Sequence, residues 1–155
     1  MASTAARWIF GAALSFGLAF AADSFLGTWK LNMEKSKFAP SPIAKSLTTT
    51  REMVDGAMKV HTTGERNDGT AFNSDFTTKF DGKAVAWTGG GPADSIAPKR
   101  VNDHTLTSVS TKKGTKYKAT GRTVVSADGK TMTTTSHGTL ADGRPFHYTM
   151  VSDKQ

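Results

Sequence analysis

The chain contains no cysteine. No disulfide can staple it, no thiolate can serve as nucleophile or metal ligand, and no lipidated bacterial cysteine can anchor it. Small secreted animal domains usually carry disulfides, so an exported chain without them is expected in a bacterial periplasm or outside a bacterial cell. Stability must then come from the core alone, which 155 residues can supply as one domain. Helical patterning is also missing: after residue 23 no stretch sustains an apolar period of about 3.6 residues. No Gly-x-Ser-x-Gly elbow is present, and Gly89-Gly90-Gly91 reads as a plain loop rather than a dinucleotide-binding turn. No apolar run reaches the length of about 20 residues needed for a membrane-spanning helix.

The apolar run that does occur, Trp8 to Leu18, follows Arg7 and closes with Ala19-Phe20-Ala21. A positive charge, a short apolar stretch and a small-x-small end are what a signal peptidase reads. Residues 1–21 are therefore expected to be a signal peptide, and 22–155 the mature domain; the alternative is a short uncleaved anchor. The chain has 20 Lys and Arg against 13 Asp and Glu, and loss of Arg7 leaves 19 cations and a net charge of +6. A basic balance suits nucleic acid, a membrane surface or an anionic ligand. Apart from Lys112, Lys113, Lys116 and Lys118 the cations are scattered, which reads better as solubility. No nucleic-acid partner is expected, and no membrane span remains after cleavage.

What is abundant is Thr and β-branched sequence punctuated by turns. Five Asp-Gly pairs occur, at Asp55, Asp68, Asp81, Asp128 and Asp142, and Asp-Gly accepts the positive φ of a tight hairpin. About ten strands are predicted, near 25–33, 45–54, 57–66, 70–80, 83–88, 94–101, 104–111, 115–126, 130–139 and 145–152. Alternation is clearest over Phe72, Ser74, Phe76, Thr78 and Phe80. The segments Gly64–Phe72 and Gly138–Phe146 echo each other and predict one turn solution used twice. A meander of this length has two open edges unless it closes. The expected fold is an all-β, up-and-down antiparallel barrel of about 8–10 strands, with a flattened sandwich as second choice.

Phe25-Leu26-Gly27-Thr28-Trp29-Lys30-Leu31-Asn32 resembles the opening strand of the calycins, the lipocalins and fatty-acid-binding proteins, which begin with Gly-x-Trp. The chain also looks like small exported bacterial proteins with a Gly-Thr-Trp-Lys-Leu-Asn start followed by Ser-Lys-Phe, here Ser36-Lys37-Phe38. The resemblance implies that Gly27 and Trp29 are structural, with Trp29 closing the base of the barrel against an Arg or Lys. It departs from the fatty-acid-binding proteins in two places. Residues 34–44, with Pro40 and Pro42, are too short for a two-helix lid. Where those proteins carry Arg-x-Tyr on the last strand, this chain has Phe146-His147-Tyr148, so only Tyr148 matches in type.

Alternation points an inward set that includes Met53, Met58, Val60, Phe72, Phe76, Phe80, Val85 and Trp87 in the first half. In the second half it includes Ile96, Leu106, Tyr117, Val125, Met132, Phe146, Tyr148 and Met150. Small or polar residues interleave with these: Thr62, Ser74, Ala119, Gly121, Thr134 and Ser136. Large beside small and polar describes a cavity lining, although a solid core is the plain alternative. Arg51, Arg66 and Arg100 share parity with apolar neighbours. An inward Arg without a partner is costly, and an anionic ligand could be that partner; Arg100 could instead stack on Trp29. The candidate ligand-binding residues are Arg51, Arg66, Phe76, Trp87, Arg100, Tyr117 and Tyr148. No catalytic set, cofactor or metal site is expected. The four histidines, His61, His104, His137 and His147, show no ligand spacing.

These features favour a small apolar or amphipathic ligand, anionic in one version, held inside an exported barrel. A small barrel enzyme of isomerase or cyclase type and a solid-cored interaction protein are the alternatives, and oligomeric state stays open. Mass spectrometry of the exported protein should find Ala22 as its first residue. A retained Met1–Leu18 segment would turn the leader into an anchor.

Overall fold

The computed structural model describes residues 23–155; the expected leader and its cleavage site lie outside them. Eleven strands follow one another: β1 Gly27–Ala39, β2 Ser46–Val54, β3 Ala57–Glu65, β4 Ala71–Thr78, β5 Val85–Ala86, β6 Thr88–Gly89, β7 Ser95–Asn102, β8 Thr105–Thr111, β9 Lys118–Val125, β10 Thr131–Thr139 and β11 Pro145–Lys154. Among the described residues there is no helix. All pairings are antiparallel, and the sheet order is β5-β7-β8-β9-β10-β11-β1-β2-β3-β4-β6. The last strand therefore lies beside the first, and the meander curls into a nearly closed barrel.

The turns explain the register. Asp55 and Gly56 both take positive φ, 49° and 76°, and the pairs Val54↔Ala57 and Met53↔Met58 flank them. That is a two-residue turn of the mirror-image type, whose twist matches that of the strands it joins. The four other Asp-Gly pairs use a different device, Asp81 among them, whose carboxylate accepts from Lys83 N. Asp68, Asp128 and Asp142 likewise accept the amide two residues on, from Thr70, Lys130 and Arg144. The two echoing segments prove to be the same turn. Gly69 N donates to Arg66 O and Arg66 N to Thr70 O, as Gly143 N does to Leu140 O and Leu140 N to Arg144 O.

The strand expected near 83–88 is broken in two. Val85 and Ala86 pair with Ile96 and Ser95 of β7, whereas Thr88 and Gly89 pair with Asp75 and Ser74 of β4. One short segment thus passes from one neighbour to the other and bridges the seam between β4 and β7, with Trp87 at the crossover. Lower on the same seam Arg100 N donates to Phe80 O and Gly82 N to Pro98 O. A strand residue presents N–H and C=O on the same side, so the missing N–H of Pro98 faces this loosely paired edge, where proline is tolerated.

One end of the barrel is solid. Phe25, Trp29, Met58, Val60, Phe80, Leu106, Val125 and Met132 form a single buried cluster there. The Trp29 indole donates Nε1–H to Phe25 O at 3.0 Å, so its polar atom is satisfied. Lys154 Nζ lies 5.1 Å from the Trp29 ring centre, so the cation on this tryptophan comes from the C-terminal strand and not from Arg100. Arg100 instead pairs with Asp23 and lies over the rings of Phe25 and Phe80. Met53 also departs from expectation: beside the tight Asp55-Gly56 turn its side chain runs out of barrel to cover, and it is 51% exposed.

Replacing Trp29 with Ala should destabilise the protein by about 3–5 kcal/mol, the range for a large buried aromatic, measured by urea unfolding. A loss below about 1 kcal/mol would mean that the floor does not depend on this ring.

Candidate ligand-binding cavity

Above the floor the inward positions become smaller and more polar, and a cavity of about 830 Å³ opens. Its rim is built from the connections at the end opposite the floor: the Pro40–Ala44 segment, Arg66–Asp68, Gly90–Pro92, Lys112 and Leu140 all border it. The volume lies within the usual range for small-molecule sites, roughly 300–1,000 Å³.

The wall has a polar belt low down. Thr49 and Thr62 meet hydroxyl to hydroxyl at 3.1 Å across β2 and β3, and Thr123 and Thr134 do so at 3.0 Å across β9 and β10. Ser74 and Ser136 are buried in the same wall. Aromatic rings form the rest. Tyr117, Phe146 and Tyr148 stack in series, with centroids 6.1 and 5.8 Å apart. On the facing side Trp87 meets Phe76 edge-on at 5.7 Å.

Arg51 is the outlying group. It faces inward from β2, where its register partners are Gly27 and Val60, and it borders the cavity. Its guanidinium lies 5.9 Å from the Phe25 ring centre. Nε is buried with no hydrogen-bond partner among the described residues. Burial lowers this guanidinium to about 10, and the Asp23 carboxylate acts in the other direction; it is still a cation at neutral pH. Gly27 makes room at this level. Its φ is +109°, and a methyl group there would meet Lys154 Cε at 2.9 Å.

Of the seven residues singled out by alternation, Arg51, Arg66, Phe76, Trp87, Tyr117 and Tyr148 border the cavity and Arg100 does not. Arg100 is held in the floor by Asp23 and two rings, as described. Arg66 stands at the rim with its donors engaged: Nη2 donates to Gly90 O at 3.0 Å, and the group lies over Phe72. Arg51 is thus the one arginine of the three with a buried, unpartnered donor among the described residues. Sequence reasoning missed Thr49, although it lies between Leu47 and Arg51 in the same parity. It also missed the proline segment, which no periodicity marks. Asn67 Nδ2 ties that segment down by donating to Pro42 O at 2.6 Å, and Ala44 is buried beneath it.

Burial raises the phenols of both cavity tyrosines. Tyr148 is pushed up to about 12, with the Ser136 hydroxyl acting the other way and Tyr117 adding to the rise. Tyr117 is raised by burial and eased by Ser110. A phenol held neutral in the fold contributes stability in full below its unfolded value of about 10, and that contribution is lost as pH rises toward 12. Stability should therefore fall between these two values, and Tyr148→Phe should remove part of the fall. Urea unfolding at a series of alkaline pH values measures it; identical profiles for both proteins would contradict the burial of this hydroxyl.

No protein-family model matches the chain, and no curated protein matches it. Among solved structures, the chain is similar to that of zebrafish ileal bile acid-binding protein complexed with cholic acid. The likeness covers 85% of this chain and 99% of that one, with a TM-score of 0.48 and 14% identical residues.

Proposed function

We propose that the mature chain is an exported carrier, periplasmic or secreted from a bacterium, that holds one amphipathic anion inside its barrel. The observation that carries this reading is Arg51, a guanidinium with an unused buried donor beside an apolar-walled cavity of about 830 Å³. An uncompensated buried cation is costly, and a carboxylate or sulfonate supplies both charge and acceptor. The hydroxyls of Thr49 and Thr62 stand on the same wall and can complete the seat. The aromatic rings of Trp87, Phe76, Tyr117 and Tyr148 then cover the ligand's apolar body, so charge fixes orientation while area supplies affinity.

Catalysis on the same barrel is the weaker reading. A general acid or base works best with a pKa near the operating pH, whereas the two cavity phenols are pushed away from it. They suit hydrogen-bond donation to a bound molecule.

The test is a titration of the mature protein with a fluorescent fatty-acid-like probe, anionic and neutral versions in parallel. Saturable binding of the anionic probe is expected, weakened about tenfold or more, some 1.4 kcal/mol, by Arg51→Met. Arg66→Met should change it little. If neither version binds more tightly than about 100 µM, the carrier reading fails.

A further inference from the structure

We propose that His137 and His147 together form a binding site on the outer wall for a late first-row divalent cation, with Cu(II) bound most tightly and Ni(II) next. The two residues are direct register partners across β10 and β11. Ser136, Phe146 and Tyr148 beside them line the cavity, so alternation turns both imidazoles outward, and both residues are exposed. Directly opposed residues on one sheet face hold their Cβ atoms about 4.5–5.5 Å apart. Two imidazoles standing side by side at that spacing can each reach one metal ion at about 2.0–2.1 Å. Nine residues of a hairpin lie between them, which is why no ligand spacing appears in the sequence.

The surroundings select the ion. In register beside the pair stand Thr120 of β9 and Ala39 of β1. The nearest charged residues on this face are Lys37, Lys118 and Arg122, which lie opposite Thr149, Thr139 and Thr135. Among the described residues no group of three or more ligating side chains gathers, so the remaining coordination positions fall to water. Ca(II) and Mg(II), which need several oxygen ligands and favour carboxylates, find no carboxylate in register beside the pair. An ion with strong preference for nitrogen can bind in spite of the neighbouring cations, and Cu(II) heads that order.

Isothermal titration of CuCl₂ and NiCl₂ into untagged mature protein tests the site. One Cu(II) per chain is expected, with a Kd on the order of 10 µM and weaker binding of Ni(II). His137→Asn and His147→Asn should each weaken it about tenfold or more, while His61→Asn and His104→Asn shift it less than about twofold. Because the local field is positive, added salt should tighten binding by screening the repulsion; loose collection by surface carboxylates would weaken with salt. Far-ultraviolet circular dichroism verifies that each variant keeps its sheet. Binding weaker than about 1 mM, binding unchanged in the His137→Asn/His147→Asn double variant, or affinity that falls with salt would overturn the proposal.

Discussion

The structure depends on β1 having a hydrogen-bonded partner on each side. Its lower half pairs with β2 through Gly27–Lys30, and it meets β11 in two stretches, Trp29–Asn32 against Lys154–Val151 and Lys37–Ala39 against Thr149–His147, with a register shift between them. Without the second pairing the meander would end in two long unpaired edges, each a template for another chain. With it, the inward face becomes a volume. The floor is filled because Trp29 is held there from three directions: the Phe25 carbonyl on its nitrogen, Lys154 on its face, and the buried cluster around it.

The division between floor and cavity is a matter of side-chain size at equivalent positions along neighbouring strands. Met58 and Val60 on β3 give way to Thr62 and Gly64, and Val125 on β9 to Thr123, Gly121 and Ala119. From floor to rim these series exchange larger apolar side chains for smaller or polar ones. The hydroxyls exposed by this exchange find one another, as Thr49 finds Thr62 and Thr123 finds Thr134, so the wall is polar without being unsatisfied. Among the described residues Arg51 is the exception, with its Nε buried and unpartnered.

Much of this was legible from the residues. Asp-Gly turns and alternation located most strands to within a few residues, because tight turns and a period of two leave little freedom in a hairpin; β1, which no Asp-Gly pair ends, runs on to Ala39, six residues past its expected end at 33. The split of the strand near 83–88 was not legible. It arises from closure, in which a short segment must serve two neighbours at once, and no local pattern encodes that demand. Arg51, Arg66 and Arg100 looked equivalent by parity. Only three-dimensional placement separates them: Asp23 reaches Arg100 from 77 residues away, the Gly90 carbonyl reaches Arg66, and neither reaches the Nε of Arg51. The resemblance implies an Arg or Lys on Trp29, and Lys154 fills that place; parity offered Arg100 as a candidate, because a C-terminal lysine gives no signal of where its strand will close.

The seam at Trp87 has a consequence for motion. Its two halves are joined to the rest of the wall by two residue pairs each, against nine between β10 and β11. The free energy of local opening scales with what must be broken, so the wall does not breathe evenly. Amide protons of residues 85–89 should exchange with solvent well before those of β10, and the barrel can part along this one line while its floor stays packed. Opening there releases only these few pairs, while lower on the seam the bonds from Arg100 N to Phe80 O and from Gly82 N to Pro98 O still hold.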